Sequence, residues 1–239
     1  MKKARALLAL KLRVARFLAI LCIAAATLLP APAASATQDY GSLTATWWQW
    51  VYSQPAIDTK DGTNTNPILD TTGAFATVGQ KDGIGPANKY FFLTGTFGGD
   101  AVRTVTVPHG KALFFPIFNS EVDNAVSPPT DHTVPELKAL AKDTVDAARG
   151  LHATFDGNDV KIFRSTSPTF NYTLPDENSI YDYFDLSGPQ FEGTINPAVA
   201  DGYWAYLPPP SPGMHTLEFS SHNESDTFSL HVIYNLTVK

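Results

Sequence analysis

Cysteine is almost missing from this sequence: its 239 residues contain one, Cys22. Charged residues are sparse, at 17%. A membrane-spanning apolar run is missing too, because the stretch at 17–29 falls short of the ~20 residues a spanning helix needs. That stretch follows a start that holds Lys2, Lys3, Arg5, Lys11, Arg13 and Arg16 and no acid, and it precedes the small-x-small triplet Ala34-Ser35-Ala36. Residues 1–36 therefore read as a secretory signal peptide cut after Ala36, and the product as secreted, either extracellular or periplasmic. Leu21 directly before Cys22 does not suit lipoprotein processing, so no membrane insertion is expected after cleavage.

Removing residues 1–36 takes away the cysteine and six of the 17 basic residues, and leaves 203 residues at a formal charge of −12 where the whole chain carries −6. A chain without cysteine in an oxidising compartment has no disulfide, no thiolate nucleophile and no cysteine-ligated zinc or iron–sulfur site. The excess of acid argues against nucleic acid and anionic membrane surfaces as partners. No G-x-S-x-G elbow, Gly-rich phosphate loop, dinucleotide fingerprint or H-E-x-x-H pair is present. No repeat or low-complexity linker divides residues 37–239, so a single domain is expected there.

Periodicity within that stretch changes repeatedly. Leu43, Trp47, Trp50 and Val51 recur at helical spacing and predict a short helix over 41–53, ended by Pro55. A Thr133/Glu136 capping box, Pro135 and an apolar stripe from Leu137 to Ala148 predict a second helix over 134–149. Strand patterns dominate elsewhere. Tyr90–Phe97 and Val102–Val107, joined at Gly98-Gly99-Asp100, read as a hairpin. Ala112–Phe118 is almost wholly apolar, with Pro116 marking an edge or a bulge. Asp156-Gly157 turns Leu151–Phe155 back into Val160–Phe163. Met214–Phe219 and Thr227–Val238 form a closing pair. The fold class expected is a mainly β, antiparallel, jelly-roll-like β-sandwich with one packed helix and a short N-terminal helix.

Two groups of residues carry candidate chemistry. Asn119, Glu121 and Asp123 follow the apolar strand and group oxygen atoms as a calcium site does. Glu121 and Asp123, two apart on a strand, share one face, as paired catalytic carboxylates do. The start of this segment is similar to the E-x-D-x-x-E catalytic strand of jelly-roll glucanases, but position 126 is Val where the third acid would stand. A solvated acidic loop is the remaining alternative. The second group is aromatic. Trp48 lies off the apolar stripe of its helix, and Tyr203 and Trp204 lie on a short strand. Faces of this kind beside amides and acids suit stacking on sugar C–H surfaces, and core packing is the alternative. Tyr181, Tyr183 and Phe184 alternate with Asp182 and Asp185 in the same style.

Trp47-Trp48-Gln49-Trp50, the Asn66–Gly73 stretch and the Val107–Pro116 stretch (VPHGKALFFP) make the chain resemble a group of uncharacterised exported bacterial proteins. The resemblance implies a secreted β-class domain and brings no activity with it. It also implies that Gln49, Asn66, Asp70 and Asn119 matter structurally or at a shared site. The function expected is binding of an extracellular ligand, of which a carbohydrate or cell-envelope polymer is the class favoured. Trp48, Gln49, Asn66, Asp70, Tyr203 and Trp204 would make the contacts, and calcium at Asn119, Glu121 and Asp123 would stabilise the protein. The alternatives are a glycan hydrolase or lyase using Glu121 and Asp123, and a structural envelope protein without ligand.

Overall fold

The computed structural model describes residues 38–58, 60–126 and 131–239. The expected signal peptide lies outside them. Asp39–Lys239 forms one compact unit, and no helix among the described residues is long and apolar enough to cross a membrane.

The unit is mainly β. Its ten strands are β1 (Tyr90–Phe92), β2 (Gly99–Val107), β3 (Ala112–Asp123), β4 (Ala148–Phe155), β5 (Asn158–Asp159), β6 (Ile162–Thr166), β7 (Phe170–Thr173), β8 (Thr194–Leu207), β9 (Gly213–Asn223) and β10 (Ser229–Val238). Three α-helices accompany them: α1 (Tyr40–Tyr52), α2 (Val134–Asp146) and α3 (Ile180–Tyr183). The first sheet has the order β1-β3-β8-β6, with β7 also on β8, and the second has the order β2-β10-β9-β4-β5.

The sheets are mixed, which corrects the antiparallel expectation. β1 runs parallel to β3, and β2 runs parallel to β10. The hairpin read at 90–107 does not form: β1 joins the first sheet, and β2 crosses to the second. The Asp156-Gly157 hairpin does form, with Thr154 opposite Asp159 and Phe155 opposite Asn158. The chain then leaves it at once for β6 in the first sheet. Pro116 sits at a register shift in an interior strand, since β3 lies between β1 and β8. A bulge lets proline omit a ladder donor there.

The burial pattern explains the sequence of each sheet. β2 and β10 alternate, with Ala101, Val105, Val107, Val232, Tyr234 and Leu236 inward, because one face of the second sheet meets water. β3 is buried from Ala112 through Phe118 because both faces are covered. Leu113, Phe115 and Ile117 share a core with the second sheet, while Ala112 and Phe114 pack into a core that includes α1.

α1 begins at Asp39, whose Oδ1 accepts the Ser42 N–H at 3.0 Å. Trp47 and Trp50 donate their indole N–H groups to Leu93 O at 2.9 Å and Val78 O at 2.8 Å. The segment after α1 packs back on it, with Trp50 reaching Val78 O and Ile68 and Leu69 joining the same core. Buried Asn66 fastens it by donating to Val51 O and Gln54 O, and buried Gln80 by pairing with both backbone groups of Phe92. α2 ends at Asp146, capped by Ala147, and not at 149, because the chain enters β4 directly at Ala148.

Candidate functional site

Alternation along β3 sets Glu121 and Asp123 on one face, at the end of the strand where the apolar run gives way to polar residues. Three tyrosines converge on them from separate segments. Tyr52, from the last turn of α1, donates its hydroxyl to Glu121 Oε2 at 2.9 Å. Tyr172 of β7 and Tyr181 of α3 donate to Asp123 Oδ2 at 2.5 and 2.9 Å, and their own oxygens are 2.5 Å apart. Asp123 Oδ1 accepts the backbone N–H groups of Ala125 at 2.6 Å and Val126 at 3.1 Å. Asp123 thus accepts four hydrogen bonds, the full capacity of a carboxylate.

Glu121 is less well served. Its Oε1 is sealed from solvent and accepts no hydrogen bond. Burial, then the charge of Asp123, push the Glu121 carboxyl well above the usual carboxylate range, and the Tyr52 hydroxyl opposes them. A proton on Glu121 eases its burial, because the neutral carboxyl loses no ionic hydration and meets no repulsion from Asp123. Burial, then the two acids and neighbouring hydroxyls, also raise the tyrosines, so they remain donors. The result is a buried pair of acids whose side-chain partners are tyrosine hydroxyls, with burial favouring the protonated form of Glu121.

This pair lies against a cavity of about 320 Å³, lined by Tyr52, Glu121, Val122, Asp123, Val126, Tyr181, Phe184 and Leu186. Phe184 and Val126, both 46% exposed, stand at its rim. Mostly apolar walls around a few convergent polar groups, one of them strongly perturbed, are the usual anatomy of a small-ligand site.

The other residues expected at a site serve the fold. Trp48 is 4% exposed and Trp204 is fully buried. Neither offers a face to a sugar, which corrects the stacking role expected of them. The physical reason is packing between α1 and the first sheet: Trp204 stacks on Phe114 at 4.8 Å and meets Trp47 edge-on, while Trp48 packs on Trp47 and Tyr52 and faces residues of β3. Gln49 donates to Asn171 O. Asn66 ties the segment after α1 to that helix, and the Asp70 carboxylate accepts from Thr72 and Phe75 N–H groups within a turn. Tyr203 packs under the Arg164 guanidinium, 5.6 Å from its ring centre. The three residues expected to hold calcium separate: Glu121 and Asp123 line the acid cavity, whereas Asn119 lines a different one with Trp48. No group of three or more His, Cys, Asp or Glu among the described residues is arranged for a metal ion. His215, His222 and His231 each pair with a different acid, Asp156, Asp226 and Glu218.

Sequence reasoning missed Tyr52 and Tyr172. A signal for Tyr52 existed, since it stands one helical turn after Trp48 and its ring stacks on the Trp48 ring at 5.2 Å. Set against family models, curated proteins and solved structures, the chain matches none of them.

Proposed function

We propose that this is a secreted binding protein whose ligand is hydroxyl-rich, a carbohydrate or the end of a cell-envelope polymer, and that the ligand enters the Glu121–Asp123 cavity. The observation that carries this reading is the buried, tyrosine-bonded acid pair that lines a cavity with an aromatic rim. Hydroxyl groups both donate and accept, so they can exchange hydrogen bonds with a carboxyl edge and tyrosine hydroxyls, while a ring face packs on Phe184. A cavity of about 320 Å³ suits a small ligand or one terminal unit of a polymer. Calorimetric titration with mono- and oligosaccharides from envelope polymers tests the reading. Wild-type protein is expected to bind, and Glu121→Gln to bind about tenfold more weakly or worse. Wild-type protein that binds none of the panel would sink it.

One observation favours an enzyme as the second reading: a carboxyl that keeps its proton in a cavity can serve as a general acid. Glu121 and Asp123 lie two apart on one strand and line the same cavity, whereas paired-carboxylate glycosidases set their acids on either side of the scissile bond. An enzyme here would therefore work by proton transfer from Glu121. It would release product from a polymer substrate, and Glu121→Gln would abolish that release.

A further inference from the structure

α1 carries three tryptophans, and their indole N–H groups meet different fates. Those of Trp47 and Trp50 reach backbone carbonyls, whereas Trp48 Nε1 is sealed from solvent and donates to nothing. Asn119 Nδ2 and Trp204 Nε1 are equally sealed and equally without an acceptor. Buried donors left in this state are rare, and an indole N–H has no role except to donate.

The three orphans lie together. Trp48 and Asn119 line a partly enclosed cavity of about 70 Å³ between α1 and β3, and Gly95 and Phe97 are among its other walls. Trp204 Nε1 adjoins Asn119 across Gly202, where a Cβ would come within 2.8 Å of the indole nitrogen and 2.7 Å of Asn119 Cβ. Glycine at 202 keeps that space open.

A buried cation stands behind the same wall. Arg103 is wholly buried, and its Nη2 donates to the carbonyl of Gly95 at 2.9 Å. Its other hydrogen bonds go to Asp70 O, Thr94 O and the Tyr234 hydroxyl. Asp70 offers its backbone carbonyl, while its carboxylate accepts from Thr72 and Phe75. The guanidinium therefore has neutral hydrogen-bond partners, and a cation removed from water favours a compensating anion nearby.

We propose that this cavity is a binding site for one small monovalent inorganic anion of halide size. Trp48 Nε1 and Asn119 Nδ2 donate to it, and the unpaired Arg103 supplies the field that holds it. Water would satisfy the donors and leave the charge alone. Bulky organic anions exceed the space. The site is a different cavity from the acid one, with a different set of lining residues.

The test uses the purified chain in sodium gluconate, titrated with sodium chloride or bromide at constant ionic strength while Tm is followed. A saturable rise is expected, about 5 °C or more at a hundredfold excess over Kd. Trp48→Phe keeps a ring and removes the N–H, and Asn119→Leu removes the amide. Both are expected to flatten the rise, and if Asn119→Leu fails to fold, Trp48→Phe decides alone. Crystals soaked in bromide should show an anomalous peak beside Trp48 and Asn119. A Tm that answers chloride and gluconate alike, a Trp48→Phe variant that responds as wild type does, or a bromide-soaked cavity holding water only, overturns the proposal.

Discussion

Two buried carboxylate sites stand on neighbouring strands of one sheet, and they are equipped in opposite ways. Asp201 of β8 lies opposite Ser120 of β3 and is 2% exposed. Arg164 grips it through Nε and Nη2, at 3.0 and 2.6 Å from Oδ2, while Thr166 Oγ1 and the Gly202 N–H take Oδ1. Arg164 also reaches Asp146 on α2, which it meets at 2.6 Å, and its own proton is held more tightly by Asp201 first and then by Asp146. Glu121 and Asp123 have no such cation and meet tyrosine hydroxyls instead. A carboxylate matched by a guanidinium clamps a helix to a sheet. A pair of acids surrounded by hydroxyls beside an open cavity has no guanidinium to tie it to a helix.

The largest effect expected is at the clamp. Arg164→Met strands Asp201 as an unpaired buried charge, and urea denaturation should show a loss of about 3 kcal/mol. A loss under 1 kcal/mol would erase the contrast between the two sites. Next in size is Tyr172→Phe, which leaves Asp123 Oδ2 with the Tyr181 hydroxyl as its remaining side-chain donor and should cost about 2 kcal/mol in the same assay.

Glu121→Gln should go the other way. Glutamine has the size and shape of the protonated acid, yet it never ionises. Because the folded Glu121 carboxyl lies above its unfolded value, native protein binds the extra proton, and wild-type stability falls as pH rises from the ordinary carboxylate range through the raised folded pKa. The variant should therefore match wild type near pH 4 and exceed it at pH 8 by about 1 kcal/mol, with Tm across that range as the measurement. Equal pH profiles would mean that Glu121 is not the proton holder.

The smallest effect is expected at His215, whose proton affinity is raised by the Asp156 carboxylate first and then by the Ser211 carbonyl. That contribution is complete below the ordinary histidine pKa and fades as pH rises through the raised folded value. Asp156→Asn should consequently cost about 0.5 kcal/mol more at pH 5.5 than at pH 8.5, since solvent screens this partly exposed pair. A cost that does not vary with pH would reduce the pair to turn geometry.

What the sequence revealed follows from how local each signal is. The helix at 134 was legible because Thr133 and Glu136 make their hydrogen bond three residues apart. The Asp156-Gly157 hairpin is equally local. β9 and β10 alternate, so their pairing could be read. The parallel pairs could not, since β2 meets β10 across most of the chain and no nearby residue specifies the partner. At the site, alternation put Glu121 and Asp123 on one face, while the three tyrosines around them arrive from α1, β7 and α3. Trp48 was misread because a helical wheel does not say how wide a stripe the sheet covers, and Trp48 lies in the space between α1 and β3. Arg103 left a usable trace, standing in phase with buried Ala101, Val105 and Val107 on β2.

The place of β10 has a consequence for how the chain acquires its shape. It is last of the strands in chain order, yet it lies between β2 and β9, with ladders on both edges. A ribosome or any other vectorial machine delivers that strand after all its neighbours. Until it arrives, β2 has no ladder partner, and the second sheet cannot close over the core it shares with the first. Cooperative folding therefore waits for the whole strand set, and a nascent or threading chain stays loose until its closing segment is free.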